Sequence, residues 1–294
     1  MFLKSDKNKG IYSLILVAFA TASIGVIVRF LSPYLNAYWQ MLGRTSVALL
    51  VTIFFFYRKI SVQNLWKASK KDSVLIIIRS FAHYAGTLLW VTAVPMTKLF
   101  TVAIIDSIPY SAILGWLLMR ENFNLKKLLW TATTCLGVIL ISLKPAGGNI
   151  TIGLGEILLV LSGLSLGFRM VSVRWHHQKL NNWELTSVIF LIATVLFGTT
   201  LFVRGDSVPS TLFLPGVILL TFLGGIINLV NLYFTHTGYR RIEAVLAGNI
   251  LQLEILFGLI LGFVIFSELP NIREIIGSAV LLFSIYKINK LYKE

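Results

Sequence analysis

From Ile11 to Leu31 the chain runs 21 residues with one charged side chain, Arg29, and stretches of this kind recur to the C-terminus. A helix needs about 20 mostly apolar residues to cross the hydrocarbon core of a bilayer. A soluble domain would have to hide each run, and the composition leaves little to hide it with. Hydrophobic residues make up 56% of the 294-residue chain and charged residues 13%, against about 25% charged in ordinary soluble domains. High apolar content also excludes a disordered chain. A single cysteine, Cys135, excludes a disulfide framework and a polythiolate zinc site.

The runs predict an all-α integral membrane protein with ten spans, at 11–31, 35–57, 73–95, 99–119, 125–143, 153–174, 184–204, 213–237, 243–266 and 272–291. The breaks fall at Pro33, Pro95, Lys144-Pro145 with Gly147-Gly148, Asp206 to Pro209, and Pro270. The net charge of +14 looks at first like a nucleic-acid signal. Placed along the chain, it is a topology signal instead. The loops on one side hold 18 lysines and arginines and those on the other hold 4, with Arg29, Arg44, Arg79 and Arg169 inside spans. The positive-inside rule then puts both termini in the cytoplasm. Ala20-Thr21-Ala22 resembles a signal cleavage site, but the apolar run continues past it, so the first span is expected to be retained.

Two stretches are alike. Ser107-Ile-Pro-Tyr-Ser-Ala-Ile-Leu-Gly-Trp-Leu-Leu-Met-Arg-Glu121 and Glu254-Ile-Leu-Phe-Gly-Leu-Ile-Leu-Gly-Phe-Val-Ile-Phe-Ser-Glu268 both carry a small-residue break and end in a glutamate at the membrane edge. Each lies fourth in a set of five spans. Five is odd, so the second set, residues 146–294, is expected to sit upside down relative to the first, residues 1–145. Inverted repeats place a substrate site near the midplane between the halves.

Ionisable and polar side chains inside spans are the candidate functional residues, because one at a helix centre costs about 2.5–3.5 kcal/mol on insertion scales. Arg44 lies well inside span two, and Glu254 lies near the middle of span nine beside Gln252 and Asn249. The expected substrate site combines Arg44 and Glu254 with Tyr84, Tyr110, Asn231, Gln252 and Trp90. Arg44 would hold a carboxylate or phosphate, and Glu254 an amino group or a proton. Glu254, Asp106, His83 and Pro109 are the candidates for coupling or gating, with Pro109 freeing a backbone carbonyl in mid-span. Mutual pairing that fixes helix packing is the competing account of these residues, and Asp106 and His83 could simply neutralise one another.

Other features read as structural. Arg29 and Arg169 are expected to snorkel toward headgroups, while Arg79 is open to either account. Glu121 and Glu268 would tether neighbouring spans at the interfaces. Gly163-x-x-x-Gly167 and Gly258-x-x-x-Gly262 are expected to be helix-packing faces. There is no P-loop, no H-E-x-x-H and no complete dinucleotide motif, and His176-His177 reads as a solvated pair. No metal, cofactor or nucleic-acid partner is expected, and no catalytic cluster marks an enzyme.

The chain resembles the drug/metabolite transporter superfamily, specifically its EamA-type ten-helix members. The resemblance rests on Arg44, the Ser107-Ile-Pro109 break, the stretch ending in Glu121-Asn122, Leu253-Glu254, the stretch ending in Glu268, and Gly277. Arg79, Trp90, Lys144-Pro145 and Leu253-Glu254 are further similar to S-adenosylmethionine uptake transporters of intracellular bacteria. The resemblance implies a secondary carrier in the bacterial inner membrane. It would move a small polar metabolite, an amino acid or a derivative such as S-adenosylmethionine, by alternating access. A proton or an exchanged metabolite would drive it. A non-transporting membrane scaffold and, further off, a membrane enzyme are the alternatives.

Overall fold

The computed structural model describes residues 2–93, 110–119, 153–175, 180–267 and 272–291, with short pieces between 96 and 137. Every regular element in these residues is helical. The helices are α1 (Phe2–Leu31), α2 (Ala37–Phe56), α3 (Val62–Trp66), α4 (Lys70–Ala93), α5 (Tyr110–Met119), α6 (Leu154–Val171), α7 (Asn182–Arg204), α8 (Pro215–Tyr239), α9 (Ala244–Leu251), α10 (Leu253–Phe266) and α11 (Ile272–Leu291).

Polar caps set the helix ends where apolar composition alone could not. Asn36 accepts from the Trp39 amide at 3.0 Å to start α2, and Asn181 accepts from the amides of Trp183 and Glu184 at 2.8 and 3.0 Å to start α7. Gly205 ends α7 in the left-handed region at φ 69°, which costs a glycine little. Pro215 opens α8 at a position whose missing N–H is not needed.

Seven stretches are long and apolar enough to cross a membrane: Asp6–Leu31, Ala37–Lys59, Lys70–Trp90, Leu154–Val171, Asn182–Arg204, Pro215–Tyr239 and Ala244–Phe266. They coincide with predicted spans one to three and six to nine. Span four is described in full only from Tyr110 onward, as α5, and most of span five lies outside the described residues. Span ten corresponds to α11, whose apolar stretch Ile275–Ser284 is shorter. Large apolar side chains line the outside of the bundle, among them Phe54, Val195 and Phe202. Such a surface would be insoluble in water and is at home in lipid.

Span nine differs from the single helix expected. It is two helices, α9 and α10, separated by a turn at Gln252 where the Ile255 amide donates to the Gln252 carbonyl at 3.2 Å. The polar side chains nearby explain the interruption. Asn249 Nδ2 donates to the Val245 carbonyl at 2.7 Å, and such side-chain bonds compete with the backbone ladder.

The packing is organised around α1, α2, α4 and α6 to α8. The long α1 lies along α8 and α10, and α4 lies along α6. α2 contacts both α7 and α8, α4 also contacts α7, and α5 contacts α6 and α9. Interhelical hydrogen bonds tie these faces together. Ser162 Oγ donates to the Gly86 carbonyl at 2.7 Å between α6 and α4, and Asn182 Nδ2 donates to Thr237 Oγ1 at 2.7 Å between α7 and α8. One end of the bundle joins the turn after α1 to the loop after α7, through Thr211 Oγ1 donating to the Tyr34 carbonyl at 2.5 Å. The other, basic end carries Asp6, Lys9 and Arg241, with Asp6 3.7 Å from Lys9 Nζ.

Candidate substrate pathway

Arg44 lies two turns into α2 and has no exposed surface. Its Nε donates to the Gln40 carbonyl at 3.3 Å and its Nη2 to Met41 Sδ at 3.3 Å. Nη1 has no hydrogen-bond partner among the described residues. Gly224 of α8 makes room for the arm: a Cβ there would stand 2.8 Å from Arg44 Cδ and 3.4 Å from Ile27 Cγ2 of α1. A guanidinium offers five N–H donors and no acceptor. Here a carbonyl and a thioether answer only part of that demand, inside a low-dielectric interior where unmet donors are costly.

Tyr84 and Trp90, on α4, pack against α2 and α7. Met41, Ala193 and Phe197 form a buried cluster against which Tyr84 and Trp90 pack. The Tyr84 hydroxyl pairs with that of Thr200 on α7, and its ring meets Phe197 at 4.9 Å between centroids. The structure therefore brings Arg44, through Met41, together with Tyr84 and Trp90.

Glu254 is in a different layer. Phe19 packs on Phe257 at 5.5 Å and Phe30 on Phe266 at 5.3 Å, so α1 and α10 run side by side in the same direction. Glu254 precedes Phe257 by about one turn, whereas Arg44 is level with Ile27, which separates them by about 15 Å along α1. Leu253 and Ile255, its neighbours, pack in the cluster of Val171, Val173 and Tyr239 near the basic end. The half-buried Glu254 and the buried Gln252 thus do not share a contact layer with Arg44.

The remaining expected residues are distributed as follows. Asn231 Nδ2 donates to Thr21 Oγ1 at 2.7 Å, which joins α8 to α1. Asn249 Nδ2 reaches Thr131 Oγ1 at 3.3 Å. Tyr110 is buried, and a Cβ on Gly163 would fall within its ring, so the first small-xxx-small pair is a seat for an aromatic side chain. Gly258 meets nothing within 4 Å, so it is not a packing face among the described residues. Arg29 is exposed at the end of α1, with its guanidinium carbon 4.4 Å from the Phe266 ring centre. Arg169 does not snorkel: it is 4% exposed, on the inward face of α6. Arg79 is buried too, and donates to Ser172. His83 has no partner at Nδ1 among the described residues. Asp106, Pro109, Glu121, Glu268 and His176-His177 lie outside the described residues.

One buried acid went unremarked in the sequence. Glu184, fully buried at the start of α7, accepts from the Ser61 amide at 3.1 Å, Asn64 Nδ2 at 3.0 Å and the Asn181 amide at 2.7 Å. The pattern Asn181-x-x-Glu184 before an apolar run is a capping-box signature and could have disclosed it. Arg240 beside it donates to the Leu180 carbonyl at 3.0 Å. Burial lowers the Arg240 guanidinium below its ordinary pKa, with Arg241 adding to the effect and Glu184 opposing it.

A helical bundle with an apolar exterior and guanidinium groups enclosed between its helices has the architecture of a membrane transport protein. The model of the EamA-like transporter family matches residues 8–143 and 153–290, and the chain belongs to that family. It is accordingly a multi-pass membrane transporter of the drug/metabolite type, built as two EamA repeats. A solved crystal structure of a protein is similar in fold, with a TM-score of 0.81 at 12% identity, covering 98% of this chain and 97% of that one. No curated protein matches the chain.

Proposed function

We propose that this protein is a secondary transporter that carries a small polar organic metabolite with an anionic group across the bacterial inner membrane by alternating access. The observation that carries the proposal is Arg44: wholly buried between α2 and α8, bonded to a carbonyl and a thioether, and without a partner at Nη1 among the described residues. An arginine there offers a planar fork to a carboxylate or phosphate. Tyr84 and Trp90 pack against the cluster of Met41, whose sulfur accepts from Arg44, and would supply a hydroxyl and an aromatic face to the same substrate.

Helix pairing supports the two halves being inverted repeats of five spans each, with both termini cytoplasmic. The contact of α1 with α8 has its counterpart in that of α6 with α4, and α2 with α8 in α7 with α4. Exchanging the halves maps these pairs onto one another, and leaves α2 on α7 at the centre. Rocking one half against the other about that centre would expose Arg44 to each side in turn. Glu254, in the layer nearer the basic end, would meet a substrate amino group or carry a proton. An amino acid or a derivative such as S-adenosylmethionine has both charges.

Counterflow of labelled S-adenosylmethionine into proteoliposomes, competed by unlabelled amino acids and nucleotides, tests this. Saturable exchange is expected, falling about 10- to 150-fold in Arg44→Gln, the equivalent of the 1.5–3 kcal/mol of a charged hydrogen bond. No exchange of any compound by folded protein would leave a non-transporting scaffold.

A further inference from the structure

The bundle encloses a second group of cations nearer its basic end. Arg79 on α4 has no exposed surface. Its Nε donates to Ser172 Oγ at 3.2 Å and its Nη2 to the Ser172 carbonyl at 2.6 Å, while Nη1 has no partner among the described residues. Ser172 Oγ in turn donates to the Arg169 carbonyl at 3.0 Å, so one serine joins the two arginines. Arg169 is 4% exposed and its Nε is unpartnered among the described residues. His83, one turn along α4 from Arg79, has no partner at Nδ1 among the described residues. Arg169 lies within electrostatic reach of both Arg79 and His83.

Taken as protein alone, the group is costly. Two guanidinium charges repel across a low-dielectric interior, and no hydrogen bond or ion pair ties either to a carboxylate among the described residues. Asp72, the acid that acts on Arg79, precedes it by seven residues on α4, about 10 Å along the axis. Its carboxylate accepts from Ser69 Oγ at 2.9 Å. The three nitrogens that lack a partner among the described residues come from α4 and α6, the pair of helices that Ser162 bonds together at Gly86. An oxyanion between them would answer both the charge and the unmet donors.

We propose that Arg79, His83 and Arg169 form a second anion station, which holds the carboxylate or phosphate of a small solute on the basic-end side of Arg44. Its place on a translocation route rests on the transport reading above; its capacity to bind does not. A solute anion held first by one arginine layer and then by the other would never have to cross the bundle uncompensated.

The test is thermal unfolding of the full chain in phosphatidylcholine nanodiscs, titrated with inorganic phosphate or acetate, with chloride at matched ionic strength as control. A ligand that binds only the folded state raises the unfolding temperature with concentration. A saturable rise with phosphate or acetate, absent with chloride, is expected. It should fall by more than half in Arg79→Gln and in Arg169→Gln. Arg79→Lys and Arg169→Lys keep a cation and should keep a weaker rise, which separates lost binding from lost folding. A rise undiminished in both glutamine variants overturns the proposal, and so does the absence of any oxyanion-specific rise in the parent chain. Nanodiscs containing phosphatidylglycerol distinguish the source. A rise with that lipid alone, lost in the same variants, would assign the cluster to a lipid headgroup and overturn the solute station. Failure of counterflow with the phosphate response intact would remove the transport reading and leave this site standing.

Discussion

The arm of Arg44 occupies the space that a side chain on Gly224 would need, since a Cβ there would stand 2.8 Å from Arg44 Cδ. A glycine, rather than an opposing charge, therefore sets where this guanidinium lies between α2 and α8. Val47, one turn on, is pressed against Gly225 in the same way, with a hypothetical Cβ 2.5 Å from its own. The two adjacent glycines bring α8 close to α2 along the face that carries Arg44.

Gly224→Ala should therefore disturb Arg44 more than it disturbs the fold. Alanine gains about 0.5–1 kcal/mol of helix propensity, against about 1–3 kcal/mol for overpacking a filled site. The expected outcome is a net destabilisation of about 1–2 kcal/mol together with a loss of counterflow exceeding that of folded protein. Full counterflow at normal affinity would show that the position of Arg44 is immaterial.

The apolar runs and the loop charges made the membrane class legible, and Arg44 stood out because a charge well inside a span has few bland explanations. The rotation of each helix was not legible. In water the polar face of a helix marks its outside, but in a bilayer both the lipid face and the protein face are apolar. Arg169 shows the consequence: two residues from the end of α6 it is placed to reach a headgroup, yet it points inward. Asn231 likewise carried no sign that Thr21, 210 positions away, would take its amide. The break at Gln252 has neither glycine nor proline to announce it. The separation of Glu254 from Arg44 depends on how α10 slides along α1, which no single span encodes.

The two small-xxx-small motifs should behave differently on substitution. Gly163→Ala places a methyl group within the Tyr110 ring and should cost about 1–3 kcal/mol. Gly258→Ala meets nothing within 4 Å and should be neutral or stabilise by about 0.5–1 kcal/mol through helix propensity alone. Unfolding of the two variants in matched nanodiscs gives the comparison, and equal losses would contradict the seat of Tyr110 between Gly163 and Gly167.

Asn231 donates to Thr21 across the contact of α8 with α1, so its removal should affect stability before substrate affinity. A double-mutant cycle with Asn231→Ala and Thr21→Val should give a coupling of about 0.6 kcal/mol, the average for interhelical hydrogen bonds in membranes. The KM for the transported compound should stay within about twofold. A KM raised tenfold by Asn231→Ala, with no coupling to Thr21, would return the side chain to the substrate site.

Glu184 should be the most sensitive acid at the basic end. One carboxylate receives Ser61 and Asn64 from the segment after α2 and Asn181 from the turn before α7, and Asn181 Nδ2 donates to the Lys59 carbonyl at 2.8 Å alongside. Glu184→Ala removes the shared acceptor of three part-buried donors and leaves a cavity at a fully buried position, and should cost about 1–3 kcal/mol. Glu184→Gln keeps one acceptor oxygen but turns an amide nitrogen toward another donor, so about half that loss is expected. The segment after α2 should also loosen, and trypsin should cut faster after Arg58, Lys59 and Lys67. Counterflow per folded molecule should be unchanged, because Glu184 touches neither Arg44 nor the cluster around Met41. Normal stability with impaired counterflow would reverse the assignment and place this acid in the transport cycle.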